Sequence, residues 1–274
     1  MTVAAAVAAD PLARLVAELD RHDRLALAVS GGVDSMTLAH VAHRFARSQA
    51  TMYHAGGPAV PAAARRRVEA HAERFGWALV LLDAGELADA RYRANPADRC
   101  YYCKTNLYAR IRERTADRIA SGTNRDDLDD YRPGLRAAAE QGVVHPLVAA
   151  GFAKADVYAL ARRLGLDDLE RLPAQPCLAS RVETGIAIAP ADLAFVDAVE
   201  AKLAAALGES AVLRCRVTHG GVVIELAEPA AGNTEAAAAA RAIGDAACRE
   251  AGRAFAGVRP YRRGAAFLRA AGDP

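Results

Sequence analysis

The apolar run Leu25-Ala26-Leu27-Ala28-Val29 ends directly in Ser30-Gly31-Gly32-Val33-Asp34-Ser35, and a helical stretch from Ser35 to Arg47 follows. A strand, a glycine turn and a helix start in this order leave unpaired backbone N–H groups converging on one spot. The dipole of the following helix adds positive potential there, so the turn suits a phosphate. Two glycines let the backbone approach an anion closely and adopt φ values that a Cβ resists. Ser30 and Ser35 add hydroxyls, and Asp34 is placed to hold Mg²⁺ or to orient the loop. No lysine follows the glycines, which separates this loop from the Walker type, where Lys reaches the terminal phosphates.

The same alternation recurs beyond the loop. Ala50–His54 reads as a short strand, Pro61 starts a helix to about Phe75, and Ala78–Leu82 is an apolar run of strand length, expected to be buried on both faces. Alternating strands and helices predict a doubly wound, mostly parallel α/β sheet, with its ligand crevice at the carboxyl ends of the strands. Asn95–Lys104 reads as a turn entering a helix around Leu107–Ala116. Asp117–Ala120 is a weak strand, and residues 122–134 form a long polar loop of the kind that is usually functional or disordered. A helix at Leu135–Gln141, a strand at Val143-Val144 and a helix at Lys154–Leu164 complete a domain spanning residues 1–189, and residues 172–185 are loop-like.

From about Pro190 the pattern changes. A helix at Ala191–Leu207, a hairpin formed by Ala211–Val217 and Val222–Leu226 around His219-Gly220-Gly221, an alanine-rich helix at Thr234–Ala251 and a strand near Ala254–Val258 predict a smaller α+β domain over 190–274. The length of 274 residues accommodates two such domains. A net charge of +2 gives no electrostatic reason to expect nucleic acid or a membrane surface as partner, and no apolar run reaches the length of a membrane span. Five cysteines and no basic stretch before the alanine-rich start argue against an exported disulfide scaffold, and for a cytoplasmic protein with thiols or metal ligands.

Among those cysteines, Cys100-x-x-Cys103 can share a metal or form a redox pair, although a complete zinc site would need two further ligands and no second Cys-x-x-Cys exists. Cys177 lies in the loop segment Pro176-Cys177-Leu178-Ala179-Ser180-Arg181 rather than on a periodic apolar face. Cys215 alternates with Leu213 and Val217, and Cys248 lies on the alanine-rich helix, so both read as core residues. Arg214 and Arg216 share the opposite face of their strand, where a pair of guanidinium forks suits a phosphate or carboxylate; two solvated arginines are the ordinary alternative.

Ser-Gly-Gly-Val-Asp-Ser resembles the PP-loop of the ATP pyrophosphatase superfamily. With Asn-Pro-x-Asp-Arg-Cys-Tyr-Tyr-Cys-Lys, Gly-Thr-Asn-x-Asp-Asp-Leu-x-Asp-Tyr-Arg-Pro-Gly and Pro-Cys-Leu-Ala-Ser-Arg in order, and Tyr261-Arg262-Arg263-Gly264 near the end, the chain resembles the LarE family over about Leu12 to Gly264. These are ATP-dependent sulfur transferases that build the nickel-pincer nucleotide. In place of the family's serine-proline segment after the second strand, this chain has His54-Ala55-Gly56-Gly57-Pro58. The resemblance implies ATP at Ser30, Gly31, Gly32, Asp34, Ser35, Gly122, Thr123 and Asn124, with Mg²⁺ at Asp34, Asp126 and Asp127. It also implies Cys177, Ser180 and Arg181 at the reacting centre, and Arg214, Arg216 and Glu200 at the substrate phosphate.

The implied reaction is adenylation of a carboxylate of pyridinium-3,5-dicarboxylate mononucleotide with loss of pyrophosphate, then attack of sulfur on the acyl-adenylate and release of AMP. The resemblance offers two sulfur sources. Members with only the Cys177-type residue give up its sulfur once, leaving dehydroalanine. Members that also have the Cys-x-x-Cys hold a [4Fe–4S] cluster on three cysteines, here Cys100, Cys103 and Cys177, whose open iron carries an exogenous sulfide. Its implied partners are sulfide or a sulfur donor, nickel-insertion and carboxylase/hydrolase enzymes of the same pathway, and further copies of the chain. A tRNA thiolase or amide ligase on the same loop, and a nucleotide-binding metal sensor without turnover, are the competing classes.

Overall fold

Leu25, Ala26 and Leu27 are buried because both faces of their strand, β1 (Arg24–Ala28), are covered by apolar cores, and its edges pair with strands on both sides. The computed structural model describes residues 10–129, 132–208 and 210–262. It divides the chain into two units, one containing the residues up to Glu86 with Cys100–Ala174, the other containing Leu87–Arg99 and the residues from Gln175 onward.

In the first unit, helix α1 (Pro11–Leu19) leads into β1, and the glycine turn into α2 (Val33–Phe45). The chain then winds outward through β2 (Gln49–Ala55), α3 (Ala62–Phe75) and β3 (Leu79–Leu82). It returns to the other side of β1 at β4 (Arg118–Ser121), giving a four-stranded, all-parallel sheet of order β3-β2-β1-β4. The direction of winding reverses between β1 and β4, so the carboxyl ends of these two strands flank the crevice in which open α/β sheets bind ligands. Alternation along β1 sends Leu25 and Leu27 to one core, with Leu15 of α1 and Met36, Leu38 and Val41 of α2. Ala26 faces the second core, with Leu107, Tyr108 and Ile111. The doubly wound α/β arrangement expected from the alternation is therefore present.

Three expectations need correction. The run Leu79–Leu82 is not buried on both faces: β3 lies at the sheet edge, and Leu81 is 45% exposed. The Cys100–Lys104 stretch is helix rather than turn, since after the short helix α4 (Ala90–Arg93) helix α5 runs from Arg99 to Arg112. Tyrosine and cysteine have weak helix propensity, but packing overrides it: Tyr101 donates to Glu140 Oε2 at 2.7 Å and lies under the Arg136 guanidinium, both on α6 (Pro133–Glu140). The strand expected at Val143-Val144 is a single bridge between Ala120 and Val144. Beyond it lie α7 (Pro146–Ala149) and α8 (Lys154–Arg163).

The second unit carries α9 (Pro190–Leu207), the hairpin β5 (Leu213–Thr218) and β6 (Gly221–Leu226), α10 (Thr234–Glu250) and β7 (Phe255–Pro260). Its sheet is three-stranded and mixed, β5 antiparallel and β7 parallel to β6. Helices α9 and α10 pack on it, and Gly244 of α10 sits where any Cβ would stand 2.7 Å from the Phe255 ring. The early segment Leu87–Arg99 is tied in by Asn95, a fully buried residue at φ +54°. Its Nδ2 donates to the carbonyls of Val182, Glu183 and Ile186 at 3.3, 2.9 and 2.9 Å, and its carbonyl accepts from Gly185 N. Among the described residues, no helix is long and apolar enough to cross a membrane.

Candidate functional site

The glycine loop of the first unit is closed by its own serines. Ser35 Oγ accepts from Ser30 N at 3.1 Å, lies 3.1 Å from Ser30 Oγ and donates to Gly32 O at 3.1 Å. Gly31 has φ +84°, and a Cβ there would stand 2.7 Å from Ala64 O, so only glycine fits between the loop and α3. Gly32 caps α2 without any side-chain hydrogen bond, which leaves the first N–H groups of the helix to face the crevice. From across the switch point comes the loop after β4. A Cβ on Gly122 would lie 2.7 Å from Ser35 N and 2.8 Å from Ser35 Cα, so the two loops meet backbone to backbone.

Asn124 joins the same centre. Its Oδ1 caps the short helix Arg125–Leu128 by accepting from Asp126 N at 3.0 Å, and its Nδ2 donates to Asp34 Oδ1 at 3.0 Å. The other oxygen of Asp34 receives Lys154 Nζ at 2.5 Å. This lysine supplies the cation that the loop itself lacks, 120 residues further along the chain. One signal for it was in the sequence: a lysine at the first position of a helix opposes the helix dipole and calls for a partner elsewhere. Arg67, also missed, donates from Nη1 to Gly31 O at 2.8 Å. Thr123 Oγ1 lies 2.9 Å from Ser121 Oγ, which in turn is 2.8 Å from His145 Nδ1. Burial pulls His145 below the usual imidazole range, and does the same to His54, whose Nδ1 is 2.8 Å from Val29 O just ahead of the loop.

The two loop carboxylates have local duties. Asp126 accepts from Lys154 N at 3.0 Å, and Asp127 accepts from Asn124 N at 3.1 Å and pairs with Arg132 at 2.6 Å. Residues 130–131, part of the same long loop, lie outside the described residues, as do Arg263 and Gly264 of the C-terminal Tyr-Arg-x-Gly. Cys100 and Cys103 lie one turn apart on α5, both half-buried. Among the described residues, no three or more His, Cys, Asp or Glu side chains gather in a metal-binding group.

In the second unit, Cys177 precedes the one-turn helix Leu178–Arg181 and is half-buried. Its carbonyl is held by Ser180 N at 3.0 Å, Ser180 Oγ at 2.7 Å and Arg181 Nη1 at 3.1 Å. Arg181 also donates to Pro176 O and forms a two-pronged pair with Glu200, 2.9 Å on each prong. Glu200 in turn accepts from Cys215 N at 3.0 Å. Arg181 is 2% and Ser180 7% exposed, so both turn inward onto the backbone that carries Cys177. Arg214 and Arg216 are buried rather than solvated. Burial, followed by the nearby Arg181 charge, holds the Arg214 guanidinium below its usual range, and the guanidinium lies over the Tyr261 ring. Cys215 and Cys248 are fully buried, and burial pushes both thiols up, which makes them inert core residues.

No family model matches the sequence. Individual relatives do. An uncharacterized protein of Synechocystis is 37% identical over 167 residues, 60% of this chain and 62% of that protein, so the chain spans less than two thirds of that relative's length. An uncharacterized protein of Methanocaldococcus jannaschii is 24% identical over 66% of this chain and 69% of its own. Pyridinium-3,5-bisthiocarboxylic acid mononucleotide synthase of Lactiplantibacillus plantarum is 31% identical over 193 residues, covering 69% of this chain and 70% of the synthase. With that identity over most of both sequences, the chain belongs to the LarE-type pyridinium-3,5-bisthiocarboxylic acid mononucleotide synthase family.

Proposed function

We propose that this protein transfers sulfur to pyridinium-3,5-dicarboxylate mononucleotide in an ATP-dependent step of nickel-pincer cofactor synthesis. The observation that carries the reading is the meeting of two loops at the switch point, where Gly122 abuts Ser35 and Lys154 and Asn124 flank Asp34. A carboxylate is a poor acyl electrophile because it would have to expel oxide; adenylation replaces oxide by AMP. The uncapped N–H groups of α2 and the ammonium of Lys154 would stabilise the departing pyrophosphate. Asp34, Asp126 and Asp127 are the carboxylates that would hold Mg²⁺, which favours a carboxylate together with phosphate oxygens; each of them accepts hydrogen bonds from protein donors in this structure.

The acyl-adenylate is then open to a sulfur nucleophile at Cys177, whose backbone is fixed by Ser180 and Arg181. Thiolates are the donors an iron–sulfur cluster takes, and Cys100, Cys103 and Cys177 are each half-buried rather than sealed in a core. A [4Fe–4S] cluster held by Cys100, Cys103 and Cys177 would supply an iron able to carry exogenous sulfide. A second reading is favoured by the rigid Cys177 turn alone. There Cys177 Sγ attacks the acyl-adenylate and AMP leaves. Loss of the Cα proton then cleaves Cβ–Sγ, leaving dehydroalanine and releasing the thiocarboxylate.

The deciding experiment measures products under anaerobic conditions with ATP, Mg²⁺ and the pyridinium acid. AMP and pyrophosphate in step with thiocarboxylate are expected; ADP and phosphate would rule out adenylation. Iron and sulfide analysis of the reconstituted protein separates the two sulfur sources. Absence of a cluster, with protein mass reduced by one H₂S after turnover, selects the sacrificial route.

A further inference from the structure

The second unit contains two carboxylate–arginine pairs built on one plan, and the proposed chemistry uses only one of them. In the first, Glu200 holds Arg181, and Arg181 holds the carbonyls of Pro176 and Cys177. In the second, Glu225 of β6 holds Arg216 of β5: Glu225 Oε2 accepts from Arg216 Nε at 2.7 Å, and Arg216 Nη1 donates to Ser180 O at 2.8 Å. The remaining oxygen of Glu225 accepts from Arg259 Nε and Nη2 of β7 at 3.0 and 2.8 Å. Glu225 is 1% exposed, and it lies directly across from Arg214 in the β5–β6 register.

A carboxylate buried this deeply is tolerated only when paired and hydrogen-bonded, and two guanidiniums on its two oxygens meet that requirement. The consequence is geometric. Arg216 commits Nε to Glu225 and Nη1 to a backbone carbonyl, so its plane is set by the protein before any substrate arrives. Cys177 therefore lies just ahead of a one-turn helix gripped at both ends, by Arg181 at Pro176 and Cys177 and by Arg216 at Ser180. The short bridge between Val182 and Val217 continues the same attachment to β5.

We propose that Glu225 is a positioning residue for Cys177, acting through Arg216 on the Ser180 carbonyl. The proposal rests on the sulfur-transfer reading for its catalytic meaning, but its geometric core concerns only the presentation of one thiol.

The test compares Glu225→Gln, Arg216→Gln and the double variant in the full-length protein. Peptide mapping after timed iodoacetamide labelling gives the rate and pH profile of Cys177 alkylation, which needs no substrate. Each single variant is expected to change that rate by about fivefold or more or to shift its pH profile. The double variant should be no worse than the more affected single, because the two residues form one device. It also restores charge balance and guards against a single variant that fails to fold. In sulfur-transfer assays, kcat should fall about tenfold while KM for the pyridinium nucleotide moves less than twofold.

Wild-type alkylation behaviour in both singles would overturn the proposal, as would an Arg216→Gln variant that raises KM tenfold at unchanged kcat. If wild-type protein transfers no sulfur at all, the proposed function fails, while the labelling result still decides the clamp.

Discussion

Replacing Gly122 by alanine tests the contact on which the nucleotide crevice depends. The φ of Gly122 is outside the left-handed region, so backbone conformation adds no penalty and the whole effect comes from the new methyl group. That group would lie 2.7 Å from Ser35 N, 2.8 Å from Ser35 Cα and 3.1 Å from the Asp34 carbonyl carbon, all backbone atoms that cannot swing aside. Overpacking of this kind costs about 1–3 kcal/mol, and the loss of glycine freedom in the unfolded chain offsets about 0.4–1 kcal/mol. Net destabilisation should therefore be about 1–2 kcal/mol. Binding should suffer more, because relief of the clash displaces Ser35 N and the start of α2. Losing one charge-assisted hydrogen bond costs about 1.5–3 kcal/mol, or roughly 10- to 100-fold in affinity. Calorimetric titration with a non-hydrolysable ATP analogue, alongside thermal melts, measures both. A Gly122→Ala protein that melts and binds like wild type would show that the two loops do not need this approach.

Four other outcomes are expected. Lys154→Met, which removes the ammonium beside Asp34, should reduce pyrophosphate release about 100-fold, and an unchanged rate would remove the lysine from the reaction. His40 is 2% exposed, and burial holds its imidazole down to about 4 from 6.5; the unfolded state therefore binds more protons between those values, and stability should fall as pH drops from 6.5 to 4, by about 3 kcal/mol in all. Urea titrations across that range check the slope, which His40→Leu should flatten. Leu81→Ala on the exposed edge of β3 should cost under about 1 kcal/mol, whereas Leu27→Ala in β1 should cost about 2–5 kcal/mol in the same titrations; equal losses would contradict the strand order. Cys177→Ala should abolish sulfur transfer while leaving ATP binding intact, as read by thiocarboxylate formation and calorimetry.

Features set by neighbours in sequence were legible in advance. The β1 run, its glycine turn and the helix after it declare themselves within about twenty residues, and so does the hairpin around His219-Gly220-Gly221. Cys215 and Cys248 were recognisable as core from strand alternation and an alanine-rich helix face, because burial follows periodicity. What escaped notice depends on residues far apart. Lys154 meets Asp34 only because the start of α8 comes up to the glycine turn that follows β1, and no local pattern records that. Leu79–Leu82 read as a doubly covered strand because apolar content does not reveal whether a strand has one neighbour or two. The tyrosines of α5 looked unlike helix until the Arg136 and Glu140 contacts with Tyr101 were visible. Glu225 gave no signal at all: a glutamate within Val222–Leu226 looks like the solvent side of a hairpin, yet it is the most buried acid described in the second unit.

The Asn95 tether changes what can be cut from this chain. The second unit is not a tail but a body sewn from two lengths of thread, with the backbone passing between units at Glu86–Leu87, Arg99–Cys100 and Ala174–Gln175. A fragment beginning at Gln175 would leave the carbonyls of Val182, Glu183 and Ile186 without the one side chain that gathers them. The Asn-Pro-x-Asp-Arg-Cys-Tyr-Tyr-Cys-Lys motif straddles the middle stitch, its asparagine in one body and its cysteines in the other. Any fragment meant to keep the second unit whole therefore has to carry Leu87–Arg99 together with the residues from Gln175 onward.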